Sequence, residues 1–165
     1  MVALFAGRKL VCIPPTIGGT AVCVAAPEVA SELTASTREF IARVGYRGLG
    51  SLEFKRDAAT GRFLIIEPTV GRTDWQEEIA TLCGVNLPLA TYLAELDYAV
   101  PSTDGKYLPF AWRSTRGLHA SVAEGTTIVD GFFRWSDMMP AVWEYGFENK
   151  ILPLWRKAAK AMGRL

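Results

Sequence analysis

Two glutamates, Glu53 and Glu67, lie on what reads as one β-hairpin, GLGSLEFKRDAATGRFLIIEPT, and two carboxylates on a strand pair can hold a hard cation. Mg²⁺ takes one or two protein carboxylates and completes its shell with phosphate oxygens and water. Leu52, Phe54, Leu64 and Ile66 alternate with Ser51, Glu53, Lys55, Phe63, Ile65 and Glu67, the period-two pattern of paired strands. Asp57 to Gly61 supplies turn chemistry, since Asp can bond its own backbone and Gly accepts positive φ. A turn centred on Ala59 or Thr60 puts both glutamates on one face, with Cβ atoms ~5 Å apart if opposite and ~7–8 Å if diagonal. Leu52, Phe54, Leu64 and Ile66 are then expected to pack on helices, leaving Phe63 and Ile65 as an apolar floor beside the carboxylates. The same spacing also suits a half-exposed hairpin whose glutamates simply face water.

The elements around this hairpin can be read in order. Val2 to Ile13 predicts a strand with Arg8 and Lys9 on opposite faces, Pro14-Pro15 and Gly18-Gly19 a turn, and Thr20 to Ala26 a second strand. Pro27 opens a helix from about Glu28 to Val44, with a broken apolar stripe of Val29, Leu33, Phe40, Ile41 and Val44, closed by Gly45 in a left-handed cap. After the hairpin, a helix from about Trp75 to Cys83 ends at Gly84, and Asn86 caps another bearing Leu89, Tyr92, Leu93 and Leu96. The order β-β-α-β-β-α-α predicts an α+β class, an antiparallel sheet with helices on one face. From Pro101 the composition shifts toward aromatics, with GKYLPFAW and TTIVDGFFRW as strand candidates. The division is therefore a lobe over residues 1–98 and an appended aromatic-rich α/β tail over residues 99–165.

Composition narrows the function classes. The 165 residues are half apolar and carry a net charge of +1, which fits a globular chain and argues against a nucleic-acid footprint. No apolar run reaches membrane-spanning length, and MVALFAGRKL has its basic residues after its apolar ones, the reverse of a secretory signal. Cys12, Cys23 and Cys83 lack metal spacing and read as buried thiols of a reducing cytoplasm. His119 is the only histidine, too isolated for a triad or metal site.

The ordered strings GYRGLGSLEF, RFLIIEPTVGR and CGVNLP resemble the carboxy-terminal half of ATP-grasp ligases, in particular the biotin-carboxylase-like and carboxylate–amine ligase groups. The resemblance covers about residues 1–98. It implies that Glu53 and Glu67 hold Mg²⁺ (or Mn²⁺) bridging the phosphates of ATP, while a carboxylate substrate is activated as an acyl phosphate and attacked by an amine. The family follows its second glutamate with Asn and then Arg. This chain has Thr69 and Gly71 there, with Arg72 one place later. Thr69 can offer a hydroxyl oxygen, and Arg72 an always-charged fork for a phosphate or carboxylate. Arg8 or Lys9 could reach phosphates across the cleft, but only one of the two can point inward. Asp74, Gln76, Glu77 and Glu78 are expected simply to suit a helix start.

The phosphate-contacting lysine and glycine-rich lid of the family's other half have no counterpart here. Met1 reads as starting inside the sheet, so the chain is expected to be half of an enzyme. It would be a truncated product, a partner for a separate chain supplying the missing lobe, or a remnant acting as a non-catalytic interaction module. Alone, it is expected to bind Mg²⁺–ATP feebly or not at all. In the tail, Phe132, Phe133, Trp135, Trp143 and Trp155 read as core or interface. From Asn149 a basic amphipathic helix aligns Ile151, Trp155, Ala158, Ala159 and Met162, with Lys150, Arg156, Lys157, Lys160 and Arg164 around them. Such a helix could lie on an anionic membrane surface or dock its stripe on its own domain; docking is the expectation, and membrane association is not expected.

Overall fold

A computed structural model describes residues 1–15, 17–101, 107–117 and 119–162; Gly105, Lys106 and Arg164 of the sequence readings lie outside them. The chain is α+β, with strands and helices in the expected order. β1 (Gly7–Ile13) and β2 (Gly19–Ala25) pair antiparallel, as do β3 (Gly50–Arg56) and β4 (Phe63–Val70). Between the two pairs runs α1 (Pro27–Val44), opened by its proline and closed by Gly45 at φ 65°. The stripe expected to bury α1 is only half-buried, and Val44 is exposed.

The strands form two sheets. β5 (Phe110–Arg113) adds antiparallel to β2, and β6 (Thr127–Asp130) runs parallel to β5, giving the order β1-β2-β5-β6; β3 and β4 stand as a separate pair. Strands from the 1–98 and 99–165 segments therefore share one sheet. The short α2 (Glu78–Leu82) covers β2 and β5, and its Ile79 meets Cys23 and Trp112 in the core. Trp75 sits edge-on to Trp112 at 5.4 Å between ring centres. Residues 75–77 form a turn rather than the expected first turn of that helix.

In α3 (Leu87–Glu95) the Asn86 side chain accepts the Leu89 N–H at 2.9 Å, the cap its sequence promised. Its buried residue is Ala90, whereas Leu89, Tyr92 and Leu96 of the expected apolar set are exposed. After a 3₁₀ turn (Thr115–Gly117), α4 (Met139–Ala141), a π-helical segment (Val142–Ile151) and α5 (Leu152–Ala161) follow one another directly. The helix begins ten residues ahead of the expected Asn149 start. No helix among the described residues is long and apolar enough to cross a membrane.

Candidate metal and phosphate site

The hairpin turn forms as its residues dictate. Asp57 accepts the Ala59 N–H at 3.0 Å and the Thr60 hydroxyl at 2.6 Å, and Gly61 takes φ 71°. These hydrogen bonds, the Thr60 hydroxyl foremost, hold the Asp57 carboxyl below its ordinary pKa. The register that follows sets Glu53 directly opposite Glu67, and Ser51 opposite Thr69 two residues along. Opposed residues share a face, so one surface carries Ser51, Glu53, Glu67 and Thr69 together.

The opposite face is not the expected one. Pairing steps from Glu53–Glu67 to Phe54–Ile65, so Ile66 is an extra residue in β4. A bulge of one residue exchanges the faces of everything beyond it. Phe63 and Ile65 therefore leave the glutamate face and join Phe54, while Leu64 crosses over to oppose Lys55. Nor is the hairpin sealed against helices: Leu64 and Ile66 are exposed, at 49% and 55%. Phe54, Phe63 and Ile65 instead meet Phe40 and Arg43 of α1 around a shallow cleft of about 280 Å³.

β1 decides which cation faces the glutamates. Arg8 turns outward and bonds Glu28 at 2.8 Å. Lys9, on the other face, reaches Glu53 Oε2 with its Nζ at 2.5 Å, both side chains part-buried. Lys9 also lies opposite Cys23 of β2, whose thiol is pushed up to about 12, chiefly by burial and then by the charge of Asp74. Cys23 is thus a protonated core thiol, not a nucleophile. Cys83 is buried with its thiol likewise raised by burial, whereas Cys12 is only half-buried, against expectation.

Asp74 has a larger part than its sequence context suggested. It lies ahead of α2, accepts the Ser51 hydroxyl at 3.0 Å and the Gln76 amide at 3.1 Å, and so ties the loop after β4 to the glutamate face. The sequence signal was present in the polar pair Ser51 and Asp74, but nothing in their spacing joined them. Glu78 is likewise occupied, as the ion partner of Arg134 from the tail. Arg72 is exposed beyond the left-handed Gly71, its guanidinium donating at 3.3 Å to the adjacent Thr73 carbonyl. His119 is exposed.

Among the described residues no three His, Cys, Asp or Glu side chains gather to hold a metal. Glu53 and Glu67, opposed across the strands, are the two carboxylates that this face could offer to a hard cation such as Mg²⁺ or Mn²⁺. The Lys9 ammonium against Glu53 shows that this face accepts positive charge. No family model, curated protein or solved structure matches the chain.

Proposed function

We propose that this chain is the carboxy-terminal lobe of an ATP-grasp carboxylate–amine ligase, holding Mg²⁺–ATP phosphates while a carboxylate is activated as an acyl phosphate for attack by an amine. One observation carries the reading: Glu53 and Glu67 stand directly opposite on β3 and β4, with Lys9 closing on Glu53 from a different sheet. Like charges directly opposite destabilise a strand pair. Their juxtaposition is understandable where a cation is meant to lie between them. The ion, when bound, supplies neutralisation and bridging of phosphate oxygens. With the ion bound, the Lys9 side chain could exchange its contact with Glu53 for one with a phosphate oxygen. Thr69 offers a hydroxyl on the same face, and the weakly held Arg72 fork is free to turn onto a phosphate or the substrate carboxylate.

A non-catalytic interaction module is the second reading, favoured by the hairpin itself. Among the described residues β3 and β4 pair only with each other, and Leu64, Ile66 and Val70 are exposed on β4. Such an open apolar edge invites pairing with another chain.

Paramagnetic Mn²⁺ separates the two. Titrated into the isotope-labelled chain with ATP, Mn²⁺ should broaden the amide resonances of Ser51, Glu53, Glu67 and Thr69 first, even at millimolar affinity. Glu53→Gln with Glu67→Gln should abolish that selectivity. Broadening spread over all surface carboxylates, or unchanged by the double substitution, removes the metal site and leaves the module.

A further inference from the structure

The carboxy-terminal helix does not dock its stripe. Of the residues expected to pack, only Ala159 is buried; Ile151, Trp155 and Met162 are exposed at 56%, 61% and 62%. The exposed row continues upstream through Phe147, Trp143 and Met139, with Trp143 and Phe147 stacked at 4.5 Å. At helical spacing these six side chains form one continuous apolar and aromatic ridge along Met139 to Met162. The ridge is held outward. Within the Val142–Ile151 segment, Glu144 accepts the Thr115 hydroxyl at 2.9 Å and Tyr145 donates to Asp130, which ties that segment to the body.

Charge completes the pattern. In α5, Arg156, Lys157 and Lys160 occupy the arc opposite Ile151, Trp155 and Met162, and Lys150 precedes it. None of the four pairs with an acid among the described residues. A helix with Trp and Phe on one face and Lys and Arg on the other suits the boundary between lipid headgroups and acyl chains. A second copy of the chain would set two such cationic helices side by side. An anionic lipid surface supplies both an apolar layer for the ridge and counter-charge for the arc.

We infer that the Met139–Met162 helix is an interfacial anchor that lies on anionic lipid bilayers, Trp143 and Trp155 entering the headgroup boundary while Lys150, Arg156, Lys157 and Lys160 meet the lipid charge. It lies on the membrane and does not span it.

Full-length chain should sediment with phosphatidylcholine vesicles containing phosphatidylglycerol, and not with phosphatidylcholine alone, with binding weakening as NaCl is raised. Each cation near such a surface contributes about a fivefold factor in partitioning, so Arg156→Gln, Lys157→Gln and Lys160→Gln together should lower it on the order of a hundredfold. Trp155→Ser, at an exposed position, should weaken binding while leaving the circular dichroism unchanged. Absence of sedimentation with anionic vesicles at low salt overturns the inference, as does equal binding to phosphatidylcholine or an unaffected triple variant. A concentration-dependent dimer abolished by Trp155→Ser also overturns it, assigning the ridge to a second copy.

Discussion

Replacing Lys9 with methionine keeps the aliphatic stem on β1 and deletes the charge that faces the glutamates. In the native protein Nζ lies 2.5 Å from Glu53 Oε2, with the side chains 26% and 43% exposed. Exposed pairs contribute ~0.2–1 kcal/mol, and partial burial places this one near the top of that range. Lys9→Met also leaves Glu53 and Glu67 facing each other uncompensated, which adds a cross-strand repulsion of ~0.2–1 kcal/mol. The expected loss is roughly 1–2 kcal/mol, a fall in Tm of about 3–6 °C for a chain of this size. If the carboxylate pair is a cation site, Mg²⁺ should restore it. At ten times its Kd, a ligand binding only the folded state adds about 1.4 kcal/mol. The native protein should gain less, because there Mg²⁺ must displace the ammonium. Thermal melts in MgCl₂ against NaCl of equal ionic strength measure this. Lys9→Met combined with Glu53→Gln should lose the Mg²⁺-specific gain. Identical melts of Lys9→Met in the two salts, or a gain that survives Glu53→Gln, would refute a cation site at the glutamate pair.

Two further predictions concern the core under this site. Because the Cys23 thiol is raised from 9.0 to about 12, the folded chain keeps a proton that the unfolded chain has released between those values. That stabilisation is complete below pH 9 and is lost as pH rises toward 12, by at most about 1.4 kcal/mol per pH unit. Cys23→Ala should flatten the alkaline limb of a urea-melt pH series, and iodoacetamide should label half-buried Cys12 well before Cys23; equal labelling rates would contradict the burial argument. Gly117→Ala would place a Cβ 2.5 Å from the Ala21 carbonyl oxygen and 2.7 Å from Val22 Cγ2. The clash is with β2 backbone, which cannot turn aside, so a loss of ~1–3 kcal/mol in urea denaturation is expected, and a neutral effect would mean the 3₁₀ turn does not press on β2.

What the sequence made legible was local. Asp57 and Gly61 announce the hairpin turn, Gly45 and Asn86 the helix ends, and each effect acts within a few residues of its cause. Alternation likewise brought Glu53 and Glu67 to one face. The same alternation failed past Ile66, because a bulge changes register without changing composition. The choice of Lys9 over Arg8 was also beyond reach. Their alternation says that one points inward, but which one depends on how β1 lies against β3, a contact between residues 44 apart. The pairing of β5 with β2 is a contact of the same long-range kind, and hydrophobic pattern alone cannot specify a partner strand.

These long-range contacts bear on how the site works. The hairpin meets β1 of the larger sheet through a polar link, Lys9 to Glu53, while its apolar residues Leu64, Ile65, Ile66 and Val70 remain open to solvent. A polar seam of this kind can be remade at little cost when a charged ligand replaces one partner, whereas an interdigitated apolar seam must open a cavity to move. The bond from Lys9 to Glu53 links β1 to β3, and its ammonium is the charge that a bound metal would replace. Metal binding at Glu53 and Glu67 should therefore displace the Lys9 ammonium and loosen the hairpin from β1. Backbone amide exchange in β3 and β4 would then quicken on adding Mg²⁺ alone and slow again when ATP phosphates give Lys9 its new contact, an order of events that a purely structural salt bridge would not produce.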